Sequence, residues 1–158
     1  MNTNFLRVLM VLGVTIVAVL TPLQAAARHC SLAGVAGKWT YTYSGTLFTP
    51  SGTVPVASVG HYIVDSAGNL AGSQARSVGG NSGTEDIAGT ATINRDCTGS
   101  ATIDVFVNGQ LQRTAVLAVA YDSNMNHARG IFQSLKLPDG TNVPVVITSD
   151  NSRLFTRE

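Results

Sequence analysis

What this chain has least of narrows it first. Charged residues are 12% of its 158 residues, ten Lys and Arg against nine Asp and Glu, for a formal net charge of +1. No basic stripe or run of like charge occurs, and without one there is no electrostatic footprint for nucleic acid or an anionic membrane surface. Cysteine occurs only at Cys30 and Cys97, too few for a disulfide-rich scaffold and too widely spaced for a zinc ligand set. His29, His61 and His127 are also far apart, with no metal-binding spacing, so no metal and no cofactor is expected. Catalytic signatures are missing too. Ser82, in Gly80-Asn81-Ser82-Gly83, lacks the frame of a nucleophile elbow. Glu85 and Asp86 are adjacent, so on a strand they point to opposite faces and cannot act on one substrate. Helical spacing is absent over any long stretch, which removes phosphate-binding loops that open a helix.

There is one long apolar run, Val8 to Leu20. Arg7 precedes it, Pro22 ends it, and the small residues Ala25-Ala26-Ala27 follow. This is the pattern of a secretory signal peptide over residues 1–27, and the run is shorter than the ~20 residues of a spanning helix. Export to a periplasmic or extracellular space is expected, with no membrane span in the mature chain. Residues 28–158 then form a single domain of roughly 130 residues, enough to bury a core. In an exported chain, Cys30 and Cys97 are expected to form one disulfide.

What is present is a period of two. Gly37 to Gly45 holds the only Trp and two of the four Tyr, and Trp39, Tyr41 and Tyr43 alternate with Lys38, Thr40, Thr42 and Ser44. That alternation predicts a strand with an aromatic inner face and a hydroxyl-rich outer face. Seven more strands are predicted downstream, separated by clusters of Gly, Pro, Asn, Asp and Ser. The eight span residues 37–47, 56–64, 70–78, 84–94, 100–107, 110–121, 127–137 and 143–148. Asn108-Gly109 is the strongest hairpin signal among the turns. Short connections make neighbours antiparallel, and closing the sheet removes its open edges. The predicted fold is therefore an all-β, eight-stranded up-and-down barrel, with a two-sheet sandwich as the alternative. Pro55 and Pro144 need a fray or a bulge, since Pro cannot donate to a ladder.

Strand parity places Ile87, Gly89, Ala91 and Ile93 inside, with Ala101, Ile103, Val105 and Val107, and with Ala115, Leu117, Val119 and Tyr121. The strands at 56–64, 70–78 and 127–137 are apolar at both parities, so their faces stay unassigned. Counting connections places Cys30, Cys97 and Trp39 at one end, the base. A mouth at the far end would be rimmed by the Gly-rich connections at 48–54, 79–83, 108–109 and 138–142.

Gly37-Lys38-Trp39, at the start of the first strand, resembles the calycins, the lipocalins and avidins, in which a Gly-X-Trp motif opens the barrel. Ser44-Gly45-Thr46 and Gly68-Asn69-Leu70-Ala71-Gly72 extend the avidin-like echo. The resemblance implies a barrel whose base is plugged by Trp39, with Arg153 over its ring. Avidins line the biotin pocket with several Trp, whereas this chain has only Trp39. Lipocalins carry a helix after the last strand, whereas only about ten residues follow residue 148 here. What is implied is a barrel with room for a pocket, not a particular ligand.

The candidate ligand-binding residues are Tyr41 and Tyr43 on the aromatic face, with Glu85 and Arg113, which parity turns inward at one barrel end. Those two side chains either reach solvent at the rim or orient the polar group of a ligand whose apolar part enters the barrel. No residue stands out as catalytic. The leading reading is a secreted binding module for a small, mostly apolar molecule. The alternatives are a structural or interaction protein with a filled barrel, and a barrel enzyme of the allene oxide cyclase type. Oligomeric state is left open.

Overall fold

The computed structural model describes residues 29–154; the signal peptide expected over 1–27 lies outside them. A one-turn helix, α1 (Leu32–Val35), leads into eight strands: β1 (Gly37–Thr49), β2 (Gly52–Val64), β3 (Asn69–Val78), β4 (Asn81–Ile93), β5 (Thr98–Val107), β6 (Gln110–Tyr121), β7 (His127–Lys136) and β8 (Val145–Arg153). Each strand pairs antiparallel with the next, and β1 also pairs with β8. The sheet is therefore a closed barrel, which excludes the sandwich.

Several boundaries differ from expectation for local reasons. The 48–54 and 79–83 connections are not long loops but tight turns, at Pro50-Ser51 and Gly79-Gly80, with the flanking residues paired in the ladder. Both turn glycines have positive φ, which only Gly adopts freely. Pro55 lies inside β2 but beyond the first β2–β3 pair, Val56↔Val78, so its missing N–H interrupts no bond there. The last strand runs on to Arg153, because Ser149, Asn151 and Arg153 break the apolar pattern while the ladder continues. The short helix α1 has a simple local cause: the Ser31 side chain caps it, accepting from Gly34 N–H at 3.1 Å.

Two β-bulges set the faces. In β6, Gln112 is the extra residue between the Phe106↔Leu111 and Val105↔Arg113 pairs. In β7, Gln133 is the extra residue between Leu117↔Phe132 and Val116↔Ser134. A bulge shifts side-chain parity by one. The second one turns both Phe132 and Leu135 into the core, which is why β7 reads as apolar at both parities. The β7–β8 ladder is the shortest, five pairs ending at Ile131↔Thr148, and Pro144 lies beyond it.

The base is closed by aromatic packing. Trp39 is fully buried, against Val35, Val64 and Ala128. Tyr62 stacks on it at 6.2 Å between ring centroids, Tyr121 meets it edge-on at 6.0 Å, and its indole N–H donates to Val35 O at 2.9 Å. Cys30 and Cys97 are disulfide-bonded, Cα to Cα 5.0 Å, tying the N-terminal segment to the β4–β5 turn. Arg153 sits opposite Trp39 in the β1–β8 register. Its guanidinium donates to Gly34 O at 2.8 Å and to Ala36 O. It clamps the plug segment through its carbonyls, while Tyr62 and Tyr121 pack on the Trp39 ring. Among the described residues no helix is long and apolar enough to cross a membrane.

Candidate functional site

Toward the far end the core changes character. Inward positions on β2, β3, β4 and β6 carry Ser58, Gln74, Arg76, Glu85 and Arg113, and they form one network. Gln74 lies directly opposite Glu85 in the β3–β4 register. Its amide Oε1 accepts from Tyr41 OH at 2.7 Å and lies 3.1 Å from Ser58 Oγ, which is also 2.9 Å from Ala75 O. Its Nε2 donates to Glu85 Oε2 at 2.6 Å. Arg113 reaches from β6 past β5 and donates to both carboxylate oxygens, at 2.9 and 2.5 Å. Arg76 Nε donates to Glu85 Oε1 at 2.8 Å. Each carboxylate oxygen of Glu85 thus accepts two hydrogen bonds, and the side chain is 1% exposed. A buried charge is tolerated only when satisfied in this way.

Burial alone would raise the Glu85 carboxyl. The hydrogen bonds and charge of Arg113, with bonds from Arg76 and Gln74, outweigh it and hold the pKa down to about 2. Arg113 is pushed the other way: burial would lower it, but Glu85 holds it above its ordinary value. Burial is also the main reason that the Tyr41, Tyr62 and Tyr121 phenols lie above the usual range.

Between this network and the aromatic base lies a cavity of about 80 Å³. Its walls are apolar, among them Leu70, Ile87, Ile103, Val105, Ala115 and Leu117. Its polar edges are Tyr43, Gln74 and Arg113 on the far side and Ser149 and Asn151 on β8. Tyr43 packs edge-on against Phe132 at 5.6 Å. Among the described residues no three of His, Cys, Asp and Glu converge closely enough to hold a metal ion.

The candidate residues divide. Tyr41, Tyr43 and Arg113 all line the cavity, whereas Glu85 stands behind Gln74 and Arg113 and does not. Glu85 neither reaches solvent at the rim nor faces the cavity; its acceptor sites are filled by protein. Gln74 and Arg76 were not visible as site residues, because both faces of β3 carry small or apolar side chains. One signal was available: once Leu70 is set inward, parity also turns Gln74 and Arg76 in.

No protein-family model and no curated protein matches this chain. Two solved structures are similar in shape. One is EF1p2_mFAP2b bound to DFHBI, at 14% identity and a TM-score of 0.54, covering 77% of this chain and 94% of that one. The other is the S-type phycobiliprotein lyase CPES from Guillardia theta, at 12% identity and a TM-score of 0.44, covering 80% and 92%. Identity this low makes the first a likeness of fold alone.

Proposed function

We propose that the chain is exported, with a signal peptide over residues 1–27 and a single barrel domain over 28–158, and that the barrel is a binding module for a small, mostly apolar molecule. The observation that carries this reading is the cavity, apolar on its walls and polar at its edges, the usual arrangement of a ligand site. That the similarly folded EF1p2_mFAP2b holds DFHBI supports the capacity of such a barrel for a small molecule. Size limits the ligand. A cavity of 80 Å³ is far below the roughly 300–1,000 Å³ of drug-sized sites. Only a group of a few heavy atoms fits inside, with the rest of the molecule at the far end.

A second reading, a filled structural barrel, is favoured by that same small volume. A barrel enzyme is less well supported, because burial makes Tyr41 and Tyr62 harder to ionise and leaves them unsuited to act as bases at neutral pH. Native mass spectrometry of protein purified from its source tests the binding reading. A small molecule should travel with the wild type and be lost from Ala115→Leu, whose added carbons fill the cavity. No bound molecule, and no uptake of small apolar probes, favours the filled barrel.

A further inference from the structure

The polar network has more positive charge than its carboxylate balances. Arg76 and Arg113 both converge on Glu85, so the three side chains carry a formal charge of +1. They also have more donors than acceptors. Each guanidinium has five N–H groups. Of the ten, Glu85 takes three and Asn81 O takes one. Glu85 itself can accept little more, since both of its oxygens already receive two bonds. Arg76 and Arg113 keep 26% and 19% of their side chains exposed, at the far end where Gly79-Gly80 and Asn108-Gly109 turn. Arg113 and Tyr43 also face the cavity. The neighbouring carboxylates do not cancel the excess. Asp86 is exposed on the outer face, and Asp104 accepts from Thr114 Oγ1 at 2.6 Å.

We infer that the ligand is an organic monoanion with a small apolar body, its acidic group seated on Arg113 and Arg76 and its body in the cavity beneath. This rests on the binding reading above and narrows it to a class. A planar carboxylate suits guanidinium donors, which bind it in pairs. Tyr43, beside Arg113, offers a phenolic O–H at the same edge. The small cavity favours a short aliphatic body inside the barrel.

The test is a set of NMR titrations of the purified protein with three probes of one carbon skeleton: 3-methylbutanoate, 3-methylbutan-1-ol and 3-methylbutan-1-amine. The acid should bind about tenfold or more tightly than the alcohol, with the amine weakest. That preference should shrink as salt rises. Arg76→Gln brings the cluster to neutrality while leaving Arg113 and Gln74 on Glu85. It should bring acid and alcohol to within about twofold of each other, whereas Arg76→Lys, which keeps the charge but not the planar fork, should retain part of the preference. Equal binding of acid and alcohol by the wild type, or a preference indifferent to salt, overturns the inference and leaves the binding reading standing. If R76Q does not fold, the salt series on the wild type decides. If no probe shifts a cavity resonance, the binding reading itself falls, and the inference with it.

Discussion

Arg113 holds Glu85 through two parallel hydrogen bonds, 2.9 and 2.5 Å, although β5 runs between their strands. The bulge at Gln112 makes this possible. From the Asn108-Gly109 turn, an unbroken ladder would place Gln112 opposite Val105 and turn Arg113 outward; the extra residue restores Arg113 to the inner face.

Removing one partner of a buried pair is costly. With Glu85 only 1% exposed, Arg113→Met should destabilise the protein by about 3–5 kcal/mol, because the carboxylate loses two of its bonds. The double variant E85Q/R113M should cost less than R113M alone. Urea unfolding of the three proteins checks this, and equal costs for the single and double variants would refute it.

Acid should weaken the fold in a defined window. The Glu85 pKa falls from the ordinary 4.5 to about 2 on folding, so as pH drops the unfolded chain takes the proton first. The contribution is fully present above pH 4.5, is lost progressively down to pH 2, and amounts to about 3 kcal/mol. Between pH 6 and pH 2 the wild type should lose about that much more stability than Glu85→Gln, measured by denaturant titration at each pH.

Reduction should loosen the base before the barrel. The bridge joins residues 67 apart in sequence, and such a constraint stabilises by about 2–4 kcal/mol. In the Cys30→Ser/Cys97→Ser variant, hydrogen exchange should rise most in α1 and at the Trp39 indole N–H, with β4–β6 little changed. Uniform acceleration along the chain would contradict this.

Two inward glycines should respond differently to a methyl group. A Cβ at Gly89 would lie 2.0 Å from Thr102 O, which is backbone, whereas at Gly130 the nearest atom is the Ser149 hydroxyl oxygen at 2.6 Å. A side chain can turn away and a paired strand cannot. Gly89→Ala should cost about 1–3 kcal/mol, as overpacking does, and Gly130→Ala less. Thermal melts rank the two.

The strands that were legible in the sequence alternate without interruption. β4 and β5 show one inward apolar row each, and Trp39, Tyr41 and Tyr43 mark the inner face of β1. β7 was legible as a strand but not in its faces, because the Gln133 bulge changes parity midway and no residue type announces a bulge. β8 was cut short because its inner row ends in Ser149, Asn151 and Arg153. The candidate site was half visible for a related reason. Arg113 and Glu85 follow by counting from clear apolar rows, but Gln74 and Arg76 interrupt the inward row of Leu70 and Val78, while Ala71 and Ala75 leave apolar residues on the other face as well. What no single strand reveals is saturation: that Glu85 is filled by protein donors depends on three strands, β3, β4 and β6, meeting.

Closing the sheet between β1 and β8 has a kinetic consequence. The first strand obtains its second partner only when the last one docks, so the Trp39↔Arg153 pair joins segments from opposite ends of the described chain. Pairings that distant fold slowly. Until they form, β1 offers an open edge to any other strand, including that of a second molecule. The only Trp in the chain sits at this junction. Its fluorescence therefore reports the final seam rather than the early hairpins, and a refolding trace followed at Trp39 should lag one followed by backbone circular dichroism.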